Sequence, residues 1–234
     1  MKIAAIVPAF NESHSIKNVV EDLLSVAISH KLQLTVVVIN DCSTDETGKI
    51  IDKLHCVALH LPVNLGIGGA MQTGFKYAFE NNFDYAIQVD GDGQHPASEI
   101  PKIIAASIKN NWDVTIGSRF LSKEGFQSSN MRRAGIKYFS RLNKLLTGFS
   151  INDTTSGFRL LNRKVLALVN EYYPDEYPEP EAIVLFSKNK LQVGEVQVQM
   201  RERQGGVSSI NSVGAVYYMM KVTLASLFTR IRNI

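Results

Sequence analysis

Gln88–Pro96, "QVDGDGQHP", closes an apolar run and sets two carboxylates, Asp90 and Asp92, among glycines just ahead of Gln94. A lone D-x-D of this kind is also what an ordinary turn looks like, because Asp and Gly are common turn residues. An EF-hand calcium loop is excluded: glycine is missing from its sixth position, and Pro101 stands where its last glutamate belongs. The other chemistry open to the stretch is a hard divalent cation bridging protein and diphosphate. Such a cation takes one or two carboxylates and completes its shell with phosphate oxygens and water. Glycines would let the diphosphate come close to the backbone.

The surroundings decide where this stretch lies. Short β-branched runs at Ile3–Val7, Thr35–Ile39, Val57–Leu61, Tyr85–Val89 and Val114–Ile116 alternate with helical patterns at Ser13–His30, Asp45–Leu54, Gly68–Asn81 and Ser98–Asn110. That rhythm predicts an α/β fold with a mainly parallel sheet covered on both faces. Ligands of such sheets bind beyond the carboxyl ends of the strands. "PAFNE", "NDCSTDET", "NLGIGG", "DGDGQHP" and "GSRF" each follow one of the five strands, so one edge collects them all. After about Phe120 the rhythm weakens into a basic helix, a loop "NDTTSGFRLL", two helices, a strand at Val193–Met200 and a final helix.

The chain has 234 residues, 45% of them hydrophobic, which is enough for one large domain or at most two small ones. A formal net charge of +3 is too mild to argue for nucleic acid. Cys42 and Cys56 have no C-x-x-C spacing, so a disulfide framework or structural zinc is not expected and a reducing cytosol fits. The first apolar run ends at Pro8 and lacks the form of a signal peptide. No uninterrupted run reaches the roughly 20 apolar residues that cross a bilayer.

Taken singly, the other motifs have plain readings. Asp41, Ser43 and Asp45 can cap turns and a helix, although an acidic residue ending a second strand often receives a ribose hydroxyl. Met71 stands where a G-x-G-x-x-G fingerprint needs its last glycine, so tight packing is the better reading of "NLGIGGAMQTG". The five histidines show no ligand spacing, and Ser156 lies in no G-x-S-x-G elbow.

Jointly the motifs say more. "IVPAFNE", "INDCSTDET", "NLGIGGAMQTG", "VDGDGQHP", "IGSRF" and "DTTSGFRLL", in this order and spacing, resemble the family-two glycosyltransferases of the GT-A fold, and more narrowly the dolichol- or polyprenyl-phosphate sugar synthases. The resemblance covers residues 1–210 as a catalytic domain and leaves 211–234 as a C-terminal amphipathic helix. It implies that Pro8, Phe10, Glu12, Ile39 and Asp41 hold the base and ribose. Asp90 and Gly91 would lie against ribose or donor sugar, and Asp92 and Gln94 would ligate Mg2+ or Mn2+. Arg119 would reach the sugar or acceptor phosphate. "RERQGGVSS" resembles the family's R-x-x-G-x-S-K segment and sets Arg203 against the diphosphate. Asp90, Asp92, Arg119 and Arg203 are thus the expected catalytic set. Ser209, where the mannosyl enzymes usually carry lysine, favours a UDP-sugar over GDP-mannose. The Q-x-x-R-W signature of processive synthases is absent, the one tryptophan being Trp112.

The expected activity is an inverting, metal-dependent hexosyl transfer, of glucose or N-acetylglucosamine, to polyprenyl (undecaprenyl) phosphate for cell-surface or cell-wall polysaccharide. The alternatives are transfer to a saccharide hydroxyl, with Asp153 as the base to watch, and a nucleotide-sugar-binding module without catalysis. Arg133, Lys137, Arg141 and Lys144 share one helix face, and "SVGAVYYMMKVTLASLFTRIRNI" is the most apolar segment. Both suit a peripheral protein on the inner face of the plasma membrane, or contact with a partner or another copy. Many members of the family carry transmembrane helices after the catalytic domain. None is legible here, so a small membrane-protein partner is expected to supply the anchor.

Overall fold

The computed structural model describes residues 1–122, 130–175, 177–201 and 212–232. Its centre is a seven-stranded sheet of β1 (Lys2–Ala9), β2 (Gln33–Asn40), β3 (Val57–His60), β4 (Tyr85–Gln88), β5 (Val114–Ser118), β6 (Arg159–Asn162) and β7 (Val193–Gln197). The order across the sheet is β3-β2-β1-β4-β6-β5-β7. All neighbours are parallel except β6, which runs antiparallel between β4 and β5. The strand patterns of the sequence fall on β1–β5 and β7, whereas β6 lies in what reads there as a loop.

Eight helices surround the sheet among the described residues: α1 (Ile16–Ser29), α2 (Thr47–Ile51), α3 (Gly66–Glu80), α4 (Ile100–Asn110), α5 (Asn130–Thr147), α6 (Arg163–Glu171), α7 (Pro178–Lys188) and α8 (Ser212–Ile231). Successive side chains of a strand point to opposite faces, and β1 shows the consequence. Ile3, Ala5 and Val7 enter a core with α1 and α4, while Ala4 and Ile6 enter another with α3, α6 and α7. Strands buried on both sides must be apolar throughout, which is why "IAAIV" and "VVVI" read as continuous runs.

Small residues set the closest approaches. A Cβ on Gly74 would sit 2.2 Å from Ile6 Cγ2, so α3 lies directly on β1. The expected tight packing of "NLGIGGAMQTG" is therefore present. Gly68 is tighter: a Cβ there would be 1.7 Å from the carbonyl oxygen of Asp175. Backbone cannot swing aside as a side chain can. Gly68→Ala should therefore displace α3 or the Pro174–Asp175 turn and destabilise the fold by about 1–3 kcal/mol. A urea titration would read this as a lower midpoint, and an unchanged midpoint would show that the contact yields freely.

Candidate active site

Because β1, β2, β4, β5 and β7 are parallel, their carboxyl ends share one edge, and antiparallel β6 brings its amino end to the same edge. The loops after β1, β2, β4 and β5 therefore meet the Asn152–Phe158 turn that leads into β6. The chain passes from β1 outward through β2 and β3, then returns across β1 to β4. This is a topological switch point, where open α/β sheets form their ligand crevice.

Beyond β1 and β2, side chains clamp backbone. Asn11, with a left-handed φ of 56°, accepts a bond from Thr44 N–H at 2.8 Å, and its own N–H donates to Ser43 Oγ at 3.0 Å. Glu12 N–H donates to Thr47 Oγ1, and Ser13 N–H to Asp45. Burial alone would raise the Asp45 carboxyl, but hydrogen bonds from Thr47 and Ser13 outweigh it and hold the group below the usual range. Phe10 is half exposed, and the Glu12 carboxylate accepts from Ser15 Oγ at 2.9 Å. Asp41 is 3% exposed and accepts the Leu65 N–H at 2.7 Å, so it ties the β3–α3 turn to β2. Ile39 has no exposed surface. Its side chain packs in the core with Ile6 of β1 and Met71 and Phe75 of α3.

The "DGDGQHP" turn is held from below. Gly91 packs under Pro8, whose carbonyl oxygen would be 2.8 Å from an added Cβ, and Gly93 takes a φ of 78°. Packing and turn geometry thus account for both glycines. Asp92 accepts the Gln94 N–H at 3.0 Å. His95 stacks flat on Phe158, ring centres 4.7 Å apart, and its Nδ1 accepts the Asp90 N–H at 3.0 Å. The histidine that carried no ligand signal in the sequence is a buried prop for the turn.

Gln88 supplies the lateral support. Its amide donates to Asp90 Oδ1 at 3.1 Å, and a Cβ on Gly157 would lie 2.5 Å from the same amide nitrogen. Ile87 pairs with Leu160, so one step along that register sets Gln88 opposite Arg159. Arg159, 1% exposed, donates to the carbonyls of Ser156 at 2.7 Å and Thr154 at 2.9 Å, within the Asp153–Gly157 turn. Burial holds the Arg159 guanidinium below its ordinary pKa, against the pull of Tyr173 and Glu179. Burial pushes the Glu179 carboxyl up, with Arg159 and the Gln88 side chain opposing it. Gln88 and Arg159 lie within quoted motifs that give them no role, and Glu179 lies in none. The only local mark of Glu179 is a pair of acids at a proline-flanked helix start.

Arg119 is engaged from the side. Its Nε and Nη2 bind the two oxygens of Asp153 at 2.7 and 2.8 Å, and its backbone N–H reaches Oδ2 at 3.1 Å. Burial would lower the Arg119 pKa, but the bonds and charge of Asp153 raise it overall. Asp153 has no exposed surface and both its oxygens are taken. It is therefore a partner for Arg119 and not a waiting base. Arg203 and Ser209 lie outside the described residues.

Metal chemistry fits this donor set. Among the described residues no cluster of three His, Cys, Asp or Glu could cage an ion by itself. Asp90, a third exposed, and Asp92, 3% exposed with one oxygen on the Gln94 N–H, are the hard carboxylates of this turn, and one or two suffice when phosphate oxygens and water complete the shell.

Residues 4–169 match the model of a protein family described as glycosyl transferase family 2. Among similar proteins is the UDP-N-acetylglucosamine–dolichyl-phosphate N-acetylglucosaminyltransferase of Methanococcus voltae, 31% identical over 217 residues and covering 84% of each chain. The polyprenol monophosphomannose synthase of Mycolicibacterium smegmatis is 26% identical over 228 residues, covering 93% of this chain and 84% of that protein. Among solved structures, glucosyl-3-phosphoglycerate synthase of Mycobacterium tuberculosis, in complex with Mn2+, UDP and glucosyl-3-phosphoglycerate, superposes with a TM-score of 0.71. That match covers 98% of this chain and 79% of that one at 15% identity, a likeness of fold. The chain belongs to glycosyl transferase family 2, has the GT-A fold, and is similar to the family's polyprenyl-phosphate sugar synthases.

Proposed function

We propose that the protein transfers glucose or N-acetylglucosamine from a UDP-sugar to polyprenyl phosphate, with inversion, as a step in cell-surface glycan synthesis. It would work as a peripheral protein on the cytoplasmic face of the plasma membrane. The observation that carries this reading is the Asp90–Asp92 turn at the switch point of the sheet, in a chain 31% identical to a dolichyl-phosphate N-acetylglucosaminyltransferase. GDP-mannose is the competing donor, since one similar protein is a polyprenol monophosphomannose synthase.

The groups along the crevice divide the work. Pro8, Phe10, Glu12 and Asp41 border the nucleotide side, and Asp90 is held by Gln88 for ribose or sugar. Asp92 and Gln94 would hold Mg2+ or Mn2+, which supplies positive charge where the leaving diphosphate becomes negative. Arg203 is assigned to the diphosphate by its motif alone, and Arg119, gripped by Asp153 through Nε and Nη2, is the motif's candidate for the sugar or acceptor phosphate. An oxygen of the acceptor phosphate attacks the anomeric carbon opposite the nucleotide, as the bond to the diphosphate breaks. A phosphate monoester, with a second pKa of about 6, is already largely a dianion at neutral pH, so no base need remove a proton. A saccharide hydroxyl would need one, and Asp153 is occupied by Arg119. That favours phosphate as the acceptor.

Radiolabelled UDP-glucose and UDP-N-acetylglucosamine, each offered with polyprenyl phosphate and then with a soluble saccharide, test the reading. Label should enter an organic-soluble product labile to mild acid. Label found only in the saccharide, or no transfer at all, would overturn it.

Removing the metal-holding carboxylate should be severe. Asp92→Ala, or excess chelator with the wild type, is expected to lower kcat at least about 100-fold while leaving the circular-dichroism melt in place. Full turnover in either case would remove the metal from the mechanism.

The Gln88–Gly157 contact gives a coupled pair. Gly157→Ala alone should push the Gln88 amide off Asp90 and reduce kcat/KM for the donor by about tenfold, or 1.4 kcal/mol. In a Gln88→Ala background the same change should cost little more, because the nitrogen it would strike is gone. Additive losses in the double variant would show that Gly157 does not act through Gln88.

A further inference from the structure

A chain of side-chain hydrogen bonds runs from the surface beside α2 to the first loop of the crevice. Asp52, just after α2, pairs with His60 Nε2 at 2.9 Å. His60 Nδ1 lies 3.0 Å from the amide nitrogen of Asn40, at the end of β2. The Asn40 amide oxygen accepts the Ser43 N–H at 3.1 Å, and Ser43 Oγ accepts the Asn11 N–H at 3.0 Å. Asp52, His60 and Asn40 have no part in the transfer as derived above.

The partners allow one set of roles. An ionised carboxylate only accepts, so His60 Nε2 carries a hydrogen and donates to Asp52. In the neutral ring Nδ1 then accepts, and the Asn40 atom facing it is the donor end of the amide. That leaves the Asn40 oxygen for the Ser43 N–H. Turning the Asn40 amide over would set acceptor against acceptor at His60 and donor against donor at Ser43. His60 therefore decides which way Asn40 points. Helix α2 makes room for the bond with Gly48, where an added Cβ would lie 3.1 Å from the Asn40 amide nitrogen and 3.7 Å from the His60 ring.

What Asn40 holds is strained backbone. Cys42 takes a φ of 59° and Asn11 one of 56°, left-handed values that residues with a Cβ rarely adopt. Such conformations persist where the surroundings over-determine them. The Ser43 bond to Asn40 spans Cys42, and the Asn11 bond to Ser43 joins the two bends. Asp41 sits inside the span, its N–H on the Ala9 carbonyl at 2.9 Å and its carboxylate on the Leu65 N–H at 2.7 Å. Asn40 is 7% exposed, so water does not readily replace a lost partner.

We propose that His60 is a positioning residue for the nucleotide end of the crevice: by orienting Asn40 it sets the bend that carries Asp41 and, through Ser43, the Asn11 loop. The proposal rests on the reading in which Asp41 borders the nucleotide, so its test follows the loop and the nucleotide separately. Amide hydrogen exchange of the free protein follows the loop. His60→Leu removes the acceptor and should speed exchange over residues 40–47 by about tenfold. His60→Asn should exchange as wild type does, because an asparagine oxygen stands near the place of Nδ1 and accepts from Asn40. Calorimetric titration with UDP and Mn2+ follows the nucleotide. His60→Leu should weaken UDP binding by about fivefold, and His60→Asn should bind as wild type does. In turnover the loss should fall on KM for the donor with kcat unchanged, since the loop serves ground and transition states alike. In an Asn40→Ala background His60→Leu should add little, because the amide it orients is gone. Unchanged exchange in His60→Leu, equal losses in His60→Asn, or additive losses with Asn40→Ala would each overturn the proposal. So would faster exchange with UDP binding unchanged, which would make His60 a support of the fold alone. Wild type that binds no UDP while exchange behaves as expected would count against the proposed donor and leave the link from His60 to the loop standing.

Discussion

The carboxyl edge of the sheet depends on one ion pair buried between the end of β5 and the turn into β6. Arg119 grips both oxygens of Asp153, and Glu195 of β7 braces the same turn by accepting the N–H groups of Asp153 at 2.8 Å and Asn152 at 2.7 Å. Three strands are thereby joined at the rim where chemistry is proposed. Removing one partner of a buried pair leaves the other charge uncompensated, at a cost of about 3–5 kcal/mol. Arg159 does the same for the next stretch, with both its resolved bonds on backbone carbonyls. From there the support passes through Gly157 and Gln88 to Asp90. The Asp90 carboxylate, proposed to meet a sugar nucleotide, is thus oriented by groups that never reach the solvent.

The two halves of the crevice are made rigid by different means. Around the first two strands, short polar side chains satisfy backbone N–H groups of the neighbouring loop: Asn11 with Thr44, Ser43 with Asn11, Thr47 with Glu12. Each such bond holds a loop whose backbone would otherwise be free, so much of the ordering cost is met before a nucleotide arrives. On the side of β5 and β6 the ordering comes from charge in the interior.

Much of this was legible before the fold was seen. Strands buried on both faces announce themselves as unbroken apolar runs, and their polar ends locate the site. β6 was not legible: it is four residues long, begins with Arg159 and follows "TTSG", so neither period nor composition marks it. Gln88 and His95 are polar residues serving other polar residues, a role that depends on register across strands and leaves no local pattern. Asp153 showed its chemistry but not its partner, because Arg119 is 34 residues away in sequence. The amphipathicity of α5 was legible, whereas α8 hid its arrangement. A helix apolar on two sides has little net moment, and only its contacts with Phe139, Tyr177 and Glu181 show which side is covered.

The placement of α8 adds support from outside. Helix α7 starts at the rim, where Glu179 feels the charge of Arg159 and Asp90, and runs away from it. Tyr218 meets Tyr177 beside that rim end, while Arg232 lies near Lys188 at the other end of α7. Helix α8 therefore runs alongside α7 over its length, and the Thr229 hydroxyl bonded to Glu181 ties the two together. The element that carries Glu179 into the interior beneath the crevice is thus held from outside as well as from below.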